Sequence, residues 1–117
     1  MRTFVAIMAV VAAMVAVTGE AQSQFVDGSQ LNEWRKEYKK PLEQSDKDHS
    51  ASGLFMGYVA GICDGFNGQR FCTATGVTAA QVSDIVAKYL EEHPEIRHKA
   101  GYLLVTEALK KAFPCKK

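Results

Sequence analysis

Three histidines and three cysteines are the residues best suited to chemistry in this 117-residue sequence. His93 and His98 are five positions apart, whereas two histidines that share a metal on one helical face stand four apart. His49 lies in a different connection. The chain has no Cys-x-x-Cys-His haem motif and no glycine-rich phosphate loop after a strand. The sequence therefore predicts neither a metal site nor a cofactor.

The N-terminal residues have the composition of a cleaved secretory signal peptide. Arg2 precedes an unbroken apolar run from Phe4 to Val17, and small residues stand at Gly19 and Ala21. We predict a signal peptide over residues 1–21 and a flexible leader over 22–28. The alternative, a membrane anchor, is disfavoured because the run of about 14 residues is shorter than the ~17–25 needed to span a bilayer. The net charge of +1 does not favour nucleic acid or an anionic membrane as a partner.

An exported chain with three cysteines predicts one disulfide and one spare thiol. Cys72 and Cys115 bracket two helical patterns, so we expect a bridge that ties the start of this hairpin to its end. Cys63 lies in an apolar helical pattern and is expected to be a buried small hydrophobe. It lacks the base and the electropositive surroundings of a nucleophile, and Asp64 beside it is expected to be an inward-facing polar anchor near a helix end. These residues do not indicate an enzyme.

Four helical patterns fill the rest of the chain, without an alternating strand. The first is capped by Asp27 or Ser29 and ends at Pro41. Its apolar positions are Leu31, Trp34 and Tyr38, and its solvent side is expected to carry Glu33, Arg35, Lys36, Glu37, Lys39 and Lys40. The pattern predicts an amphipathic helix.

The second pattern, capped by Ser50 or Ser52, is apolar nearly all round and predicts the most buried helix. Glycine recurs every four residues within it, at Gly53, Gly57, Gly61 and Gly65. Such an edge allows close backbone approach, so we expect it to be the packing seam of the fold.

The third pattern begins with a capping box, Thr78 and Gln81. Its apolar face is expected to hold Val82, Ile85, Val86, Tyr89 and Leu90, with Gln81, Ser83, Asp84, Lys88, Glu91 and Glu92 on the solvent side. Pro94 ends this helix and suits the first turn of the fourth, which runs to Phe113 before Pro114. The sequence thus predicts an all-α, small four-helix domain over residues 29–115, with one disulfide.

The junction of the last two helices is the candidate binding site. We call it the hinge corner and define it as Glu91, Glu92, His93, Glu95, Arg97 and His98. It gathers charges and imidazoles at a rigid turn, and exposed loops commonly carry function. The alternative is architectural: His93 caps the helix, Pro94 sets the turn and Arg97 pairs with a nearby acid.

Several segments together resemble the Tai/Rap immunity family: GYVAGICDGF, GVT-x-x-Q-V, KYLEEHPEIRH and EALKKAFPC. The resemblance covers about residues 29–115 and implies a small, periplasmic, all-helical protein. The bridge between Cys72 and Cys115 agrees with it. A second family bridge is missing, because Arg35 and the run Leu54 to Met56 stand where the family has cysteines.

The resemblance implies a protein that binds and blocks a peptidoglycan amidase effector delivered by type VI secretion. A protein is therefore the expected partner, and a second copy of the chain is a further candidate. The mechanism would be steric, with the hinge corner occluding the enzyme's cleft. The alternative is a small periplasmic acid-stress chaperone without a cognate toxin, which would expose apolar faces when its acids and histidines are protonated.

Overall fold

The computed structural model describes residues 25–116. That part of the chain contains four α-helices, a single 3₁₀ turn and two isolated bridges, with no β-strand. The helices are α1 (Gly28–Lys39), α2 (His49–Phe66), α3 (Ala79–Glu92) and α4 (Gly101–Ala112), and the 3₁₀ turn spans Pro94–Ile96. The all-α, four-helix prediction is confirmed. The predicted signal peptide lies outside the described residues.

Residues 26–28 are hydrogen-bonded to the backbone at the start of α4. Asp27, one of the two candidate caps, accepts a hydrogen bond from the backbone N–H of Gln30 at 2.8 Å. The N–H of Gly28 donates to the carbonyl of Lys99, and Val26 accepts from the N–H of Gly101, both at 2.8 Å. Residues 26–28, which we expected to lie in a flexible leader, therefore belong to the helical domain.

All four helices contribute to one hydrophobic core. Its fully covered side chains are Leu31 from α1, Phe55 and Val59 from α2, Phe71 from the following turn, Val82, Val86, Ala87 and Leu90 from α3, and Leu104, Val105, Ala108 and Leu109 from α4. The predicted apolar face of α3 is confirmed, with Ile85 and Tyr89 half-buried at its border. Ser83 was placed on the wrong side, because it is fully buried among these residues.

Aromatic pairs join α1 to α2. Trp34 meets Tyr58 edge-on with ring centroids 6.4 Å apart, and Tyr38 packs on Phe55 at 5.1 Å. Arg35 corrects the predicted solvent face of α1, since only 9% of it is exposed. Its Nε donates to Oδ1 of Asn32 at 2.8 Å. Burial lowers the pKa of Arg35, and the carboxylate of Glu91 acts in the opposite direction.

The glycine edge of α2 is not a packing seam. Gly53, Gly57, Gly61 and Gly65 are exposed, and a Cβ at any of them would meet no atom within 4 Å. Only Phe55 and Val59 of this helix are buried, so α2 is not the most buried helix. The sequence pattern identified residues that share an edge, but the neighbouring helices pack against the opposite side. The cap is also corrected, because Asp48 rather than a serine accepts from the N–H of Ala51.

The fourth helix begins later than predicted. Pro94–Ile96 forms its own 3₁₀ turn, and α4 starts only at Gly101. Ala100 is extended, with φ −57° and ψ 137°, and it forms a bridge with Asp27. The α-helical geometry is therefore interrupted between Glu92 and Gly101, and Ala100 pairs there with the residue that precedes α1.

The predicted disulfide is confirmed. Cys72 and Cys115 are joined with their Cα atoms 4.9 Å apart. The N–H of Cys72 also donates to the carbonyl of Phe113 at 2.8 Å. Cys63 is the free cysteine and is half-buried rather than fully buried. Burial, and then the neighbouring Asp64, raise the pKa of its thiol. Asp64 is exposed, so the expectation that it faces inward was wrong.

Replacing Gly57 or Gly61 by alanine should stabilise the protein. Each change improves helix propensity by up to about 1 kcal/mol, and the new methyl group meets only open space. Gly28→Ala is the matched control and should destabilise, because its methyl group would overlap the carbonyl of Arg97 and the side chain of Leu104. Urea unfolding measures all three. A loss of stability in both α2 variants would contradict the exposed edge.

Thiol counting on the unfolded, unreduced protein should give one reactive cysteine, which peptide mapping assigns to Cys63. In the native protein its alkylation near neutral pH should be slower than that of free cysteine, because the raised pKa reduces the thiolate fraction. Reduction of the disulfide should remove up to ~4 kcal/mol of stability. The Cys63→Ala variant, with no free thiol, is the control. A peptide linking Cys63 to either bridge cysteine would refute the assignment.

Candidate protein-binding site

The backbone of the hinge corner is a compact turn of defined geometry. Helix α3 ends at Glu92 because Pro94 prevents His93 from taking helical angles, and His93 has φ −127° and ψ 64°. The N–H of Arg97 then donates to the carbonyl of Pro94 at 3.4 Å, and that of Lys99 to Ile96 at 3.0 Å. Successive short-range hydrogen bonds thus hold the turn between the two helices.

Arg97 points inward and caps the end of α3. Its Nε and Nη2 donate to the carbonyl of Leu90 at 3.0 and 2.7 Å, and Nη2 also reaches the carbonyl of Glu91 at 3.4 Å. The last carbonyls of a helix lack partners and carry partial negative charge, so a guanidinium is well suited to them. Arg97 therefore has the architectural role that we considered as the alternative, although it pairs with carbonyls rather than with an acid.

The carbonyl of Arg97 connects the same turn to α1. It accepts from the hydroxyl of Ser29 at 3.4 Å, and Gly28 lies directly against it. A side chain at position 28 would not fit in this space, so glycine permits the close approach of the two backbones. One residue thus links the end of α3, the turn and the start of α1.

The side chain of His93 contacts Tyr89 of α3, the helix that His93 follows. Its Nδ1 donates to the carbonyl of Tyr89 at 2.8 Å, and the imidazole stacks on the Tyr89 ring with centroids 4.4 Å apart. Lys111 of α4 lies 5.1 Å from the centroid of that ring. Burial, followed by the charges of Glu107 and Glu95, raises the pKa of the Tyr89 phenol. His93 therefore fixes the end of α3, as the architectural alternative expected.

The remaining hinge-corner residues, Glu91, Glu92, Glu95 and His98, are exposed. Glu91 lies 3.7 Å from Arg35, and Glu92 lies 3.9 Å from Lys88. No ion pair joins two hinge-corner side chains within residues 25–116. Because Arg97 directs its charge into the fold, the outward surface presents three carboxylates and one imidazole. It is a surface suited to hydrogen-bond donors and cations on a partner.

Sequence reasoning missed Arg35 as the support of Glu91. Its position among the alternating charges of α1 predicted an exposed side chain, and the only signal against this was its place next to Trp34.

Over the described range, no three His, Cys, Asp or Glu side chains are grouped so that they could hold a metal ion. In the same range, no helix is long and apolar enough to cross a membrane.

The family model described as Rap1a immunity proteins matches residues 27–115. The chain therefore belongs to the Rap1a immunity protein family, as the sequence resemblance predicted. A search of curated proteins finds no match. The family indicates an immunity function against effectors and a protein effector as partner, and such proteins are generally not enzymes.

Arg97→Ala should lower the free energy of unfolding by ~1–3 kcal/mol, because it leaves carbonyls at the end of α3 without their charged donor. His98→Ala, which removes an exposed side chain from the same turn, should stay within about 0.5 kcal/mol of wild type. Chemical denaturation compares the two variants directly. Equal stability of both would show that the guanidinium does not hold the junction.

Proposed function

We propose that this protein is a periplasmic immunity protein that binds and blocks a peptidoglycan amidase effector delivered by type VI secretion. The hinge corner is the surface that enters the enzyme's cleft. The observation that carries the proposal is the pairing of a Rap1a family match with three exposed carboxylates on an internally braced turn. The N-terminal signal-like sequence supports export to the compartment where the amidase meets peptidoglycan.

Inhibition by this surface is steric and electrostatic, and it requires no catalytic group. Arg97 and His93 fix the backbone beneath the carboxylates, so little conformational entropy is lost when the turn enters a cleft. Glu91, Glu92 and Glu95 can then accept charge-assisted hydrogen bonds from donors inside it. The braced turn also blocks the path of the peptidoglycan substrate.

The decisive variants neutralise the three carboxylates without altering their shape. The triple variant E91Q/E92Q/E95Q should weaken binding to the cognate amidase by at least about tenfold, since a few central residues supply most of the binding energy. The matched control E33Q/E43Q/D64N removes three exposed acids elsewhere and should change affinity less than about threefold. Calorimetry with candidate type VI amidases measures the affinity of both triple variants, each made in the mature chain that starts at Gln22.

Protection of cells completes the test. Cells that express the amidase in their periplasm should survive with the full chain and lyse with a version that lacks residues 1–21. Equal loss of affinity in both triple variants would remove the hinge corner from the proposal. Failure to bind any amidase, together with suppression of aggregation of unrelated proteins in acid, would favour the chaperone function instead.

A further inference from the structure

A positively charged cleft lies near the C-terminal end of α4, in contrast to the carboxylates of the hinge corner. It has a volume of about 350 Å³ and is lined by Arg70 from the turn after α2, Glu107 and Lys110 from α4, and Cys115 and Lys116 from the C-terminal tail. Lys110 is nine residues beyond Gly101, which places it about 14 Å along the helix axis from the hinge-corner end. None of the residues that line the cleft belongs to the hinge corner.

The walls of this basic cleft are held in place by the fold. Gly68 has a φ of 88°, which glycine adopts without strain, and its N–H donates to the carbonyl of Phe71 at 2.7 Å. This tight turn places the Arg70 guanidinium over the Phe66 ring, 5.8 Å from its centroid. On the other side, the disulfide fastens the tail that carries Lys116. The backbone segments that carry Arg70 and Lys116 are therefore fixed by the turn and the disulfide.

Its cations have no carboxylate partner among the described residues. Arg70, Lys110 and Lys116 are absent from the ion pairs within 4.0 Å, which engage Arg35, Lys36, Lys40 and Lys88. The α4 dipole favours Lys110, which lies in its last turn. It does not account for Arg70 and Lys116, which come from two other segments. Three cations therefore converge on a cavity whose lining includes only one acid, Glu107.

We propose that the basic cleft binds carboxylate side chains presented by an acidic segment of a protein partner. A guanidinium beside ammonium groups suits carboxylates, and the cavity is at the small end of the range for ligand sites. Exposed cations hold an isolated anion weakly in water. A protein segment suits the cleft better than a free carboxylate, because neighbouring contacts with a larger partner add to the affinity. The proposal does not depend on which effector the hinge corner inhibits.

Backbone amide chemical shifts of the isotope-labelled mature protein provide the test. The probe is a blocked peptide of five glutamates flanked by glycines, titrated at low ionic strength, with succinate as the free dicarboxylate. The peptide should cause saturable shifts centred on Arg70, Lys110 and Lys116 and should bind at least about tenfold more tightly than succinate. Physiological salt should weaken it, since the groups are exposed.

Variants distinguish this cleft from general attraction to a basic protein. R70Q/K110Q should weaken peptide binding about tenfold or more, whereas K39Q/K99Q, which removes two exposed cations elsewhere, should leave it within about twofold. E107Q removes the one acid of the lining, whose negative charge repels a carboxylate ligand, and should strengthen binding. Equal effects of the two double variants, no gain in E107Q, or succinate binding as tight as the peptide would each overturn the proposal.

Discussion

The contact between Arg97 and the end of α3 is the interaction on which the arrangement of helices depends. Its guanidinium satisfies the carbonyls of Leu90 and Glu91, while its own carbonyl lies against Gly28. The first contact sets where α3 ends, and the second sets where α1 begins. Because both contacts belong to Arg97, the end of α3 and the start of α1 cannot move independently of each other.

Much of the fold follows from local sequence signals. Asp27, Thr78, Pro94 and the bracketing cysteines act within a few residues or through chain connectivity, so the helices, the capping box and the disulfide could be predicted. Periodicity shows which side chains share a face, but not whether another helix covers it. The glycine edge, Ser83 and Arg35 were misplaced for this reason, because their surroundings come from residues distant in the chain.

The candidate site shows the same division. Its location at the α3–α4 turn could be read from Pro94 and the cluster of charges. Which charges face outward could not, since Arg97 and Glu91 are both polar and only the folded backbone offers carbonyls to one of them. Arg35 adds a further difference from the family resemblance. At the position where the family has a cysteine, Arg35 lies 3.7 Å from Glu91 instead, and the Trp34–Tyr58 and Tyr38–Phe55 pairs join α1 to α2.

The open glycine edge of α2 also bears on how such a protein can diversify. A Cβ at any of its four positions would meet no atom within 4 Å, whereas Phe55 and Val59 secure the same helix from the other side. A methyl group added along the edge therefore leaves the core unchanged. Over evolutionary time the glycine edge can change one residue at a time, while the α3–α4 turn and the tail held by the Cys72–Cys115 disulfide retain their geometry.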